Sequence, residues 1–269
     1  MRFAANNDAF SGIQFVVLKD NKWFEKQKHA GYVAAKCLQF VKKTIESCTP
    51  NLSLKDIEAE CVEIIEYEKC TPTFKGYKGF PGAICISVNK QLVHGIPTDY
   101  ILQIGDVVTV DLGATFEGVI GDAAMTYIYG EPKSQEHVKL LKTCEGALYA
   151  AIGAIAIGKP LGSIGEAIHR YTRNSGFYLI TNYGGHGIDL NTPHAQPFVA
   201  NRSKRDEGIR IQPGLSIALE PMLAINSSKT KTLNDGWTVK TRGISAHFEH
   251  SIFVGEDKVH VMTDWEHLE

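Results

Sequence analysis

Two aspartates sit where a strand-like run makes a charge costly. Val107-Val108-Thr109-Val110-Asp111-Leu112-Gly113 has the composition of a core strand, and Asp122-Ala123-Ala124-Met125-Thr126 resumes that pattern after the turn-like Thr115-Phe116-Glu117-Gly118. A hairpin centred between Phe116 and Glu117 sets Asp111 opposite Asp122, with Cβ atoms roughly 5 Å apart on one sheet face. Two ionised carboxylates so placed repel. A shared proton, a basic partner or a cation must offset the repulsion, and a hard divalent cation suits oxygen donors. The competing reading is a register one residue away, with one aspartate merely capping the turn.

A second acidic pair has similar surroundings. Glu220 closes the apolar run Leu215–Leu219 ahead of Pro221, and Glu249 lies inside Ile244-Ser245-Ala246-His247-Phe248-Glu249-His250-Ser251-Ile252-Phe253-Val254. Charges in such runs are costly unless paired or metal-bound; a solvent-facing glutamate on an alternating strand is the alternative. His186 stands among glycines in Tyr183-Gly184-Gly185-His186-Gly187-Ile188, where missing side chains allow close approach and a plain glycine turn is the bland reading. One neutral imidazole beside four carboxylates makes a five-ligand set for two divalent ions, which could lower the pKa of a shared water from about 15.7 toward 7. His94 and His194, both in turn-like settings, are candidates to donate to an oxyanion or an amide. His29, His137, His169, His260 and His267 read as ordinary histidines.

The elements that must position these residues repeat. Residues 23–48 read as a helix with Ala34, Leu38, Val41 and Ile45 on one stripe, stopped by Pro50. Residues 54–69 follow, with Ser53 and Asp56 as a capping box and Leu54, Ile57, Cys61 and Ile64 inward. Strand-like runs come at 83–93, 105–112 and 122–129. Then helices recur at 135–157, with Val138, Leu141, Leu148, Ile152 and Ile155 apolar, and at 163–175, with Ser163 and Glu166 as a capping box and Gly176 as the stop. Strands follow near 178–183, 215–225 and 237–254. The helix starts recur after about 110 residues, and Asp111 and Glu220 lie 109 apart. The expectation is an α+β fold of two related halves with a pocket between them: residues 1–22 as a short extension, 23–269 as one domain, with halves near 23–132 and 133–255.

Composition excludes several classes. The 269 residues are 43% hydrophobic and 22% charged, with 28 Lys+Arg against 30 Asp+Glu, a net charge of −2. That is a globular balance with no basic block, so neither a general nucleic-acid binder nor an anionic-membrane binder is expected. Gly146 to Gly158 is too short to span a bilayer. Six cysteines without a C-x-x-C pair, and no signal-peptide pattern after Met1, read as reduced thiols in the cytoplasm. Gly153-x-x-x-x-Gly158-Lys159 fails as a phosphate loop because Pro160 stands where Ser or Thr is needed.

The ordered set Asp111, Asp122, His186, Glu220, Glu249 resembles type I methionine aminopeptidase. So do Gly76-Tyr77-Lys78-Gly79-Phe80-Pro81, Cys85-Ile86-Ser87, Asn89-x-x-x-Val93-His94-Gly95-Ile96-Pro97, Leu219-Glu220-Pro221-Met222 and Asp235-Gly236-Trp237. The likeness covers roughly residues 25–255. It implies the pita-bread fold and metal-dependent removal of the initiator methionine from nascent chains when the next residue is small. It implies that Asp111, Asp122, His186, Glu220 and Glu249 bind two divalent ions (cobalt, manganese, iron or zinc), bridged by Asp122 and Glu249. By the same resemblance Glu220 would handle the proton of the activated water. The resemblance also implies that His94 would contact the scissile amide and His194 the developing oxyanion, while Tyr77, Phe80, Cys85 and Trp237 would line the methionine pocket. It further implies a cytoplasmic monomer acting on peptide N-termini, with at most a transient ribosome contact, in the short bacterial-like form.

Four departures stand out. Asp189 replaces a glycine, Pro193 a phenylalanine and Lys78 a histidine found in relatives, and His194 falls one residue later after His186 than the family spacing. The alternatives are a proline-directed peptidase of the same fold, which usually carries a large preceding domain, and a non-catalytic binding protein on the same scaffold, which usually loses ligands.

Overall fold

The computed structural model describes residues 2–8 and 12–268. Helices α1 (Asn21–Glu46) and α2 (Leu54–Tyr67) precede one set of strands, and α3 (Gln135–Ala154) and α4 (Gly162–Thr172) precede another. A hairpin of Arg2–Asp8 with Gly12–Leu18 opens the chain. The central sheet has nine strands. Seven of them matter here: β1 (Cys85–Val88), β2 (Val107–Phe116), β3 (Val119–Ile128), β4 (Gly184–Asp189), β5 (Thr192–Ala200), β6 (Ser216–Leu219) and β7 (Glu249–Val254). They run antiparallel in the order β5-β4-β6-β7-β3-β2, and β1 also pairs with β2. The strands that follow each helix pair therefore merge into one sheet at the β3–β7 seam, where Glu249 faces Ala124 and His250 faces Ala123.

One face of the sheet is plain core. Val110, Leu112, Ala123 and Met125 pack there with Val33, Ala34, Cys37, Leu38, Val41 and Ile45 of α1. The helix comes down onto the strands at Gly121, where an added Cβ would stand 2.4 Å from the Gly31 nitrogen. Asp20 caps α1 by accepting from the Trp23 N–H at 3.0 Å, which starts the helix two residues earlier than its apolar stripe suggests. The Ser53–Asp56 capping box on α2 is present.

Several local expectations are corrected. The β2–β3 turn is Glu117-Gly118, with φ 47° and 81°, a two-residue loop with both centres left-handed. Asp111 therefore faces Ala124, and Asp122 faces Gly113. Moving the turn centre by one residue slips the pairing by two, so both aspartates keep a common face. Ser163 does not cap α4. The helix starts at Gly162, held by Leu161 N–H to Ile209 O and Gly162 N–H to Glu207 O, both at 2.8 Å, and Ser163 is buried inside it. The buried stripe of α3 is Leu140, Cys144, Ala147, Leu148 and Ala151, rotated from the expected one. On α2 Ile65 rather than Ile64 is buried, beside Leu54, Ile57 and Cys61. Residues 184–189 form a strand, not a glycine turn. The glycines are needed because the neighbouring strands crowd them: a Cβ on Gly185 would meet Ala218 O at 2.2 Å, and one on Gly187 would meet Gln196 O at 1.9 Å. All six cysteines are free.

Candidate active site

Register alone places the chemistry. On the face opposite α1, one row across the sheet reads Cys85, Asp111, Ala124, Glu249. Glu220 continues it one step beyond the Leu219–His250 pair. The next row, two residues along, holds Gly113, Asp122, Ser251, Ala218 and His186. Asp122 and Ser251 are tied across the seam: the Asp122 N–H donates to Ser251 Oγ, and that hydroxyl donates to Asp122 O, both at 2.8 Å. Residues directly opposite share a face, as do residues two apart. Functional side chains from strands on either side of the β3–β7 seam thus meet over small alanine, serine and glycine neighbours that leave room for them.

The donor atoms of Asp122, His186 and Glu249 lie within 4.8 Å of one another, as do those of Asp111, His247 and Glu249. His186 Nε2 stands 3.7 Å from Glu220 Oε1 and 3.7 Å from Glu249 Oε1. His186 Nδ1 lies 3.1 Å from Gly187 O, which as an N–H···O bond would leave Nε2 free as a lone-pair donor.

Burial raises all four carboxyl pKa values. Asp111 rises to about 7 through burial. Asp122, Glu220 and Glu249 rise well above the ordinary range, through burial first and then the neighbouring carboxylates. Burial lowers His186 to about 4, so its ring is neutral near pH 7. Among the described residues, no lysine or arginine pairs with any of the four. Asp111 Oδ1, Asp122 Oδ1 and Glu249 Oε1 are buried without a hydrogen-bond partner. Clustered, unpartnered buried acceptors of this kind fit divalent cations. Four carboxylates and an imidazole suit a transition-metal ion better than an alkaline-earth one.

A cavity of about 430 Å³ opens above this floor, and all eleven residues singled out from the sequence line it. Its apolar wall is a small cluster of Phe74, Phe80 and Cys85 with Trp237 against it. Phe80 and Trp237 meet edge to face, with ring centroids 5.2 Å apart. Trp237 is set by an Asx turn in which Asp235 Oδ1 accepts from the Trp237 and Thr238 N–H groups at 2.9 Å. Burial pushes the Cys85 thiol well up, so it offers a neutral sulfur.

His94 has a left-handed backbone, φ 58°, a strained state for a non-glycine residue. Its neighbour Gly95 passes so close to β1 that a Cβ would meet Ile86 O at 2.2 Å. His194 lies on β5 with its ring 4.6 Å from that of His186 and Nδ1 3.3 Å from Tyr77 Oη. A register shift between Thr192 and Ala195 makes a bulge in β5, and His194 within it lines the cavity. Asp189 bonds Lys19 Nζ at 2.5 Å, and Lys78 is exposed over the Tyr77 ring.

The sequence reading missed His247, Phe74, Tyr183 and Phe198. Phe198 lines the cavity on the same strand as Pro193. Burial lowers His247 to about 3, with the His94 and His186 charges adding to it. The available signal was strand alternation: His247 lies two residues before Glu249.

Comparison with known proteins shows the family. Residues 25–256 match metallopeptidase family M24. The methionine aminopeptidase of Mycoplasma capricolum is 38% identical over 253 residues, covering 93% of this chain and 99% of the relative. The crystal structure of methionine aminopeptidase from Thermotoga maritima superposes with a TM-score of 0.88 at 34% identity, over 92% of this chain and 99% of that one. A prolidase from Pyrococcus furiosus shares the fold alone, with a TM-score of 0.73 at 18% identity, and this chain covers 65% of it. The chain has the pita-bread fold and belongs to metallopeptidase family M24, on its methionine aminopeptidase branch.

Proposed function

We propose that this protein hydrolyses the first peptide bond of chains that begin with methionine, when the second residue is small. The observation that carries the reading is one cavity with two unlike sides: a floor of four buried carboxylates and His186, and a wall of Phe80, Cys85 and Trp237. A thioether side chain suits a wall of aromatic rings and a neutral sulfur. Asp111, Asp122, His186, Glu220 and Glu249 would hold two divalent ions, shared through Asp122 and Glu249. When bound, such ions supply Lewis-acid activation of a water and of the scissile carbonyl.

The protein's own groups do the rest. Tyr77, Phe80, Cys85 and Trp237 hold the methionine side chain and exclude water from it. Glu220 takes a proton from the attacking water and returns it to the departing amine. His94 orients the scissile amide, and His194 donates to the carbonyl oxygen as it gains charge. Within this reading the protein acts as a cytoplasmic monomer on nascent chains, and its two halves, near 23–132 and 133–255, each contribute carboxylates. Among the described residues no helix is long and apolar enough to cross a membrane.

A peptide panel tests the proposal. Met-Ala-Ser should be cleaved with added divalent metal and not with chelator, while Met-Lys-Ser and Ala-Pro peptides should resist. Equal turnover of Met-Ala-Ser and Met-Lys-Ser removes the specificity claim, and preference for Ala-Pro moves the chain to the proline-directed group.

A further inference from the structure

One buried imidazole, packed against two glutamates of the floor, has no assigned task. His247 is 1% exposed, and neither of its ring nitrogens has a hydrogen-bond partner. Its Nε2 stands 3.6 Å from Glu220 Oε2 and 3.6 Å from Glu249 Oε2, too far for a hydrogen bond. The large majority of buried polar side-chain atoms have a hydrogen-bond partner, so two unpaired nitrogens on one buried ring call for an explanation. His250, three residues on, has such a partner: its Nδ1 lies 2.9 Å from Thr263 Oγ1 and its ring stacks on Trp265 at 3.7 Å. The His247 main chain, by contrast, is fixed firmly. Its N–H donates to Thr126 Oγ1 at 2.9 Å, and its carbonyl accepts from the same hydroxyl at 2.7 Å. The backbone thus holds in place a side chain whose polar atoms are unpaired.

The arrangement mirrors His186. Each histidine points Nε2 at both glutamates, His186 at the two Oε1 atoms and His247 at the two Oε2 atoms. Each belongs to a trio with one aspartate, and Glu249 is common to both trios. The five residues read from the sequence put their only nitrogen on the Asp122 side. His247 balances the set.

We propose that His247 is a sixth protein ligand of the metal centre, giving the ion on the Asp111 side a nitrogen donor of its own. The inference rests on the metal-dependent reading above and extends it. Each position then has an aspartate, a histidine and a share of Glu249. An imidazole added to a carboxylate site favours iron, cobalt, nickel or zinc over manganese or magnesium, so His247 is a determinant of metal choice and of how tightly the second ion is held.

The test uses the full chain, stripped of metal and titrated calorimetrically with cobalt(II), alongside H247Q and H186A. X-ray absorption of the loaded proteins counts imidazole nitrogens. Wild type should take up two ions with one imidazole per ion on average. H247Q should lose affinity for one ion by at least about tenfold, keep the other, and show half the imidazole count. Its selectivity for cobalt over manganese should narrow at that one position. H186A should weaken the opposite position. Two ions bound to H247Q as tightly as to wild type, with an unchanged imidazole count, overturn the inference and leave the two-ion reading intact. Failure of wild type to bind any ion overturns both. If H247Q does not fold, the wild-type spectrum decides alone: two imidazoles per pair of ions support a sixth ligand, and one imidazole rejects it.

Discussion

The floor and the wall of the cavity are built by different means. The floor is a product of strand register. Asp111, Asp122, Glu249 and His186 lie at fixed steps of one antiparallel ladder, with only Glu220 just past a strand end. Apart from Cys85, which stands on β1 opposite Asp111, the wall and the residues beside it come from turns: Tyr77 in a single 3₁₀ turn, His94 at a left-handed position, Trp237 on an Asx turn. A ladder has few alternative states, because a slip of one residue turns every side chain to the other face. A turn can adjust by small dihedral changes. Chemistry that needs several charged groups within a few ångströms is therefore housed in the ladder, and recognition of a flexible side chain in the turns.

Substitutions can break or sharpen this contrast. The largest effect is expected in the floor. Glu249→Gln removes the carboxylate common to both trios and should weaken uptake of both ions by at least about 10²-fold, read by calorimetric titration. Glu220→Gln should keep more of the metal affinity yet lower kcat by about 10²–10⁴-fold, read with Met-Ala-Ser.

Next comes pH. Ions bind the ionised carboxylates, and Asp111 holds its proton up to about pH 7. Metal affinity should therefore fall as pH drops through 7, by about tenfold per unit for each proton displaced. His186, lowered to about 4, stays neutral across that range and should add nothing to the slope. Calorimetry in buffers of different ionisation enthalpy measures the protons released, and a flat profile between pH 6 and 8 would contradict the raised carboxyl pKa values.

The wall should respond more mildly. Trp237→Ala removes the edge-to-face contact with Phe80, worth about 0.5–1.5 kcal/mol beyond its area, and should raise KM by about tenfold with less change in kcat. A collapse of metal binding in that variant would show that wall and floor are not separable. The smallest effect is expected at Lys78, exposed over Tyr77. Lys78→Ala should shift stability by less than about 0.5 kcal/mol and KM by less than about twofold, which thermal unfolding and steady-state rates on Met-Ala-Ser can check.

From the amino-acid order alone one reads the helix pairs, the repeat of about 110 residues, and the acidic residues stranded in apolar runs. Those signals are local: periodicity, caps, and the cost of a charge among valines and isoleucines. The wall residues Phe80, Cys85 and Trp237 were legible only through the resemblance of their short motifs to methionine aminopeptidases, and Phe74 was not legible at all. Tertiary structure decided the rest. The true hairpin register depended on left-handed φ angles at Glu117 and Gly118. The strand nature of Gly184–Asp189 depended on the close neighbours Ala218 and Gln196, which no local pattern records. The place of His247 depended on Thr126, 121 residues away, holding its backbone beside two glutamates. Alternation says which face a side chain takes, but only packing of distant strands says what it meets there.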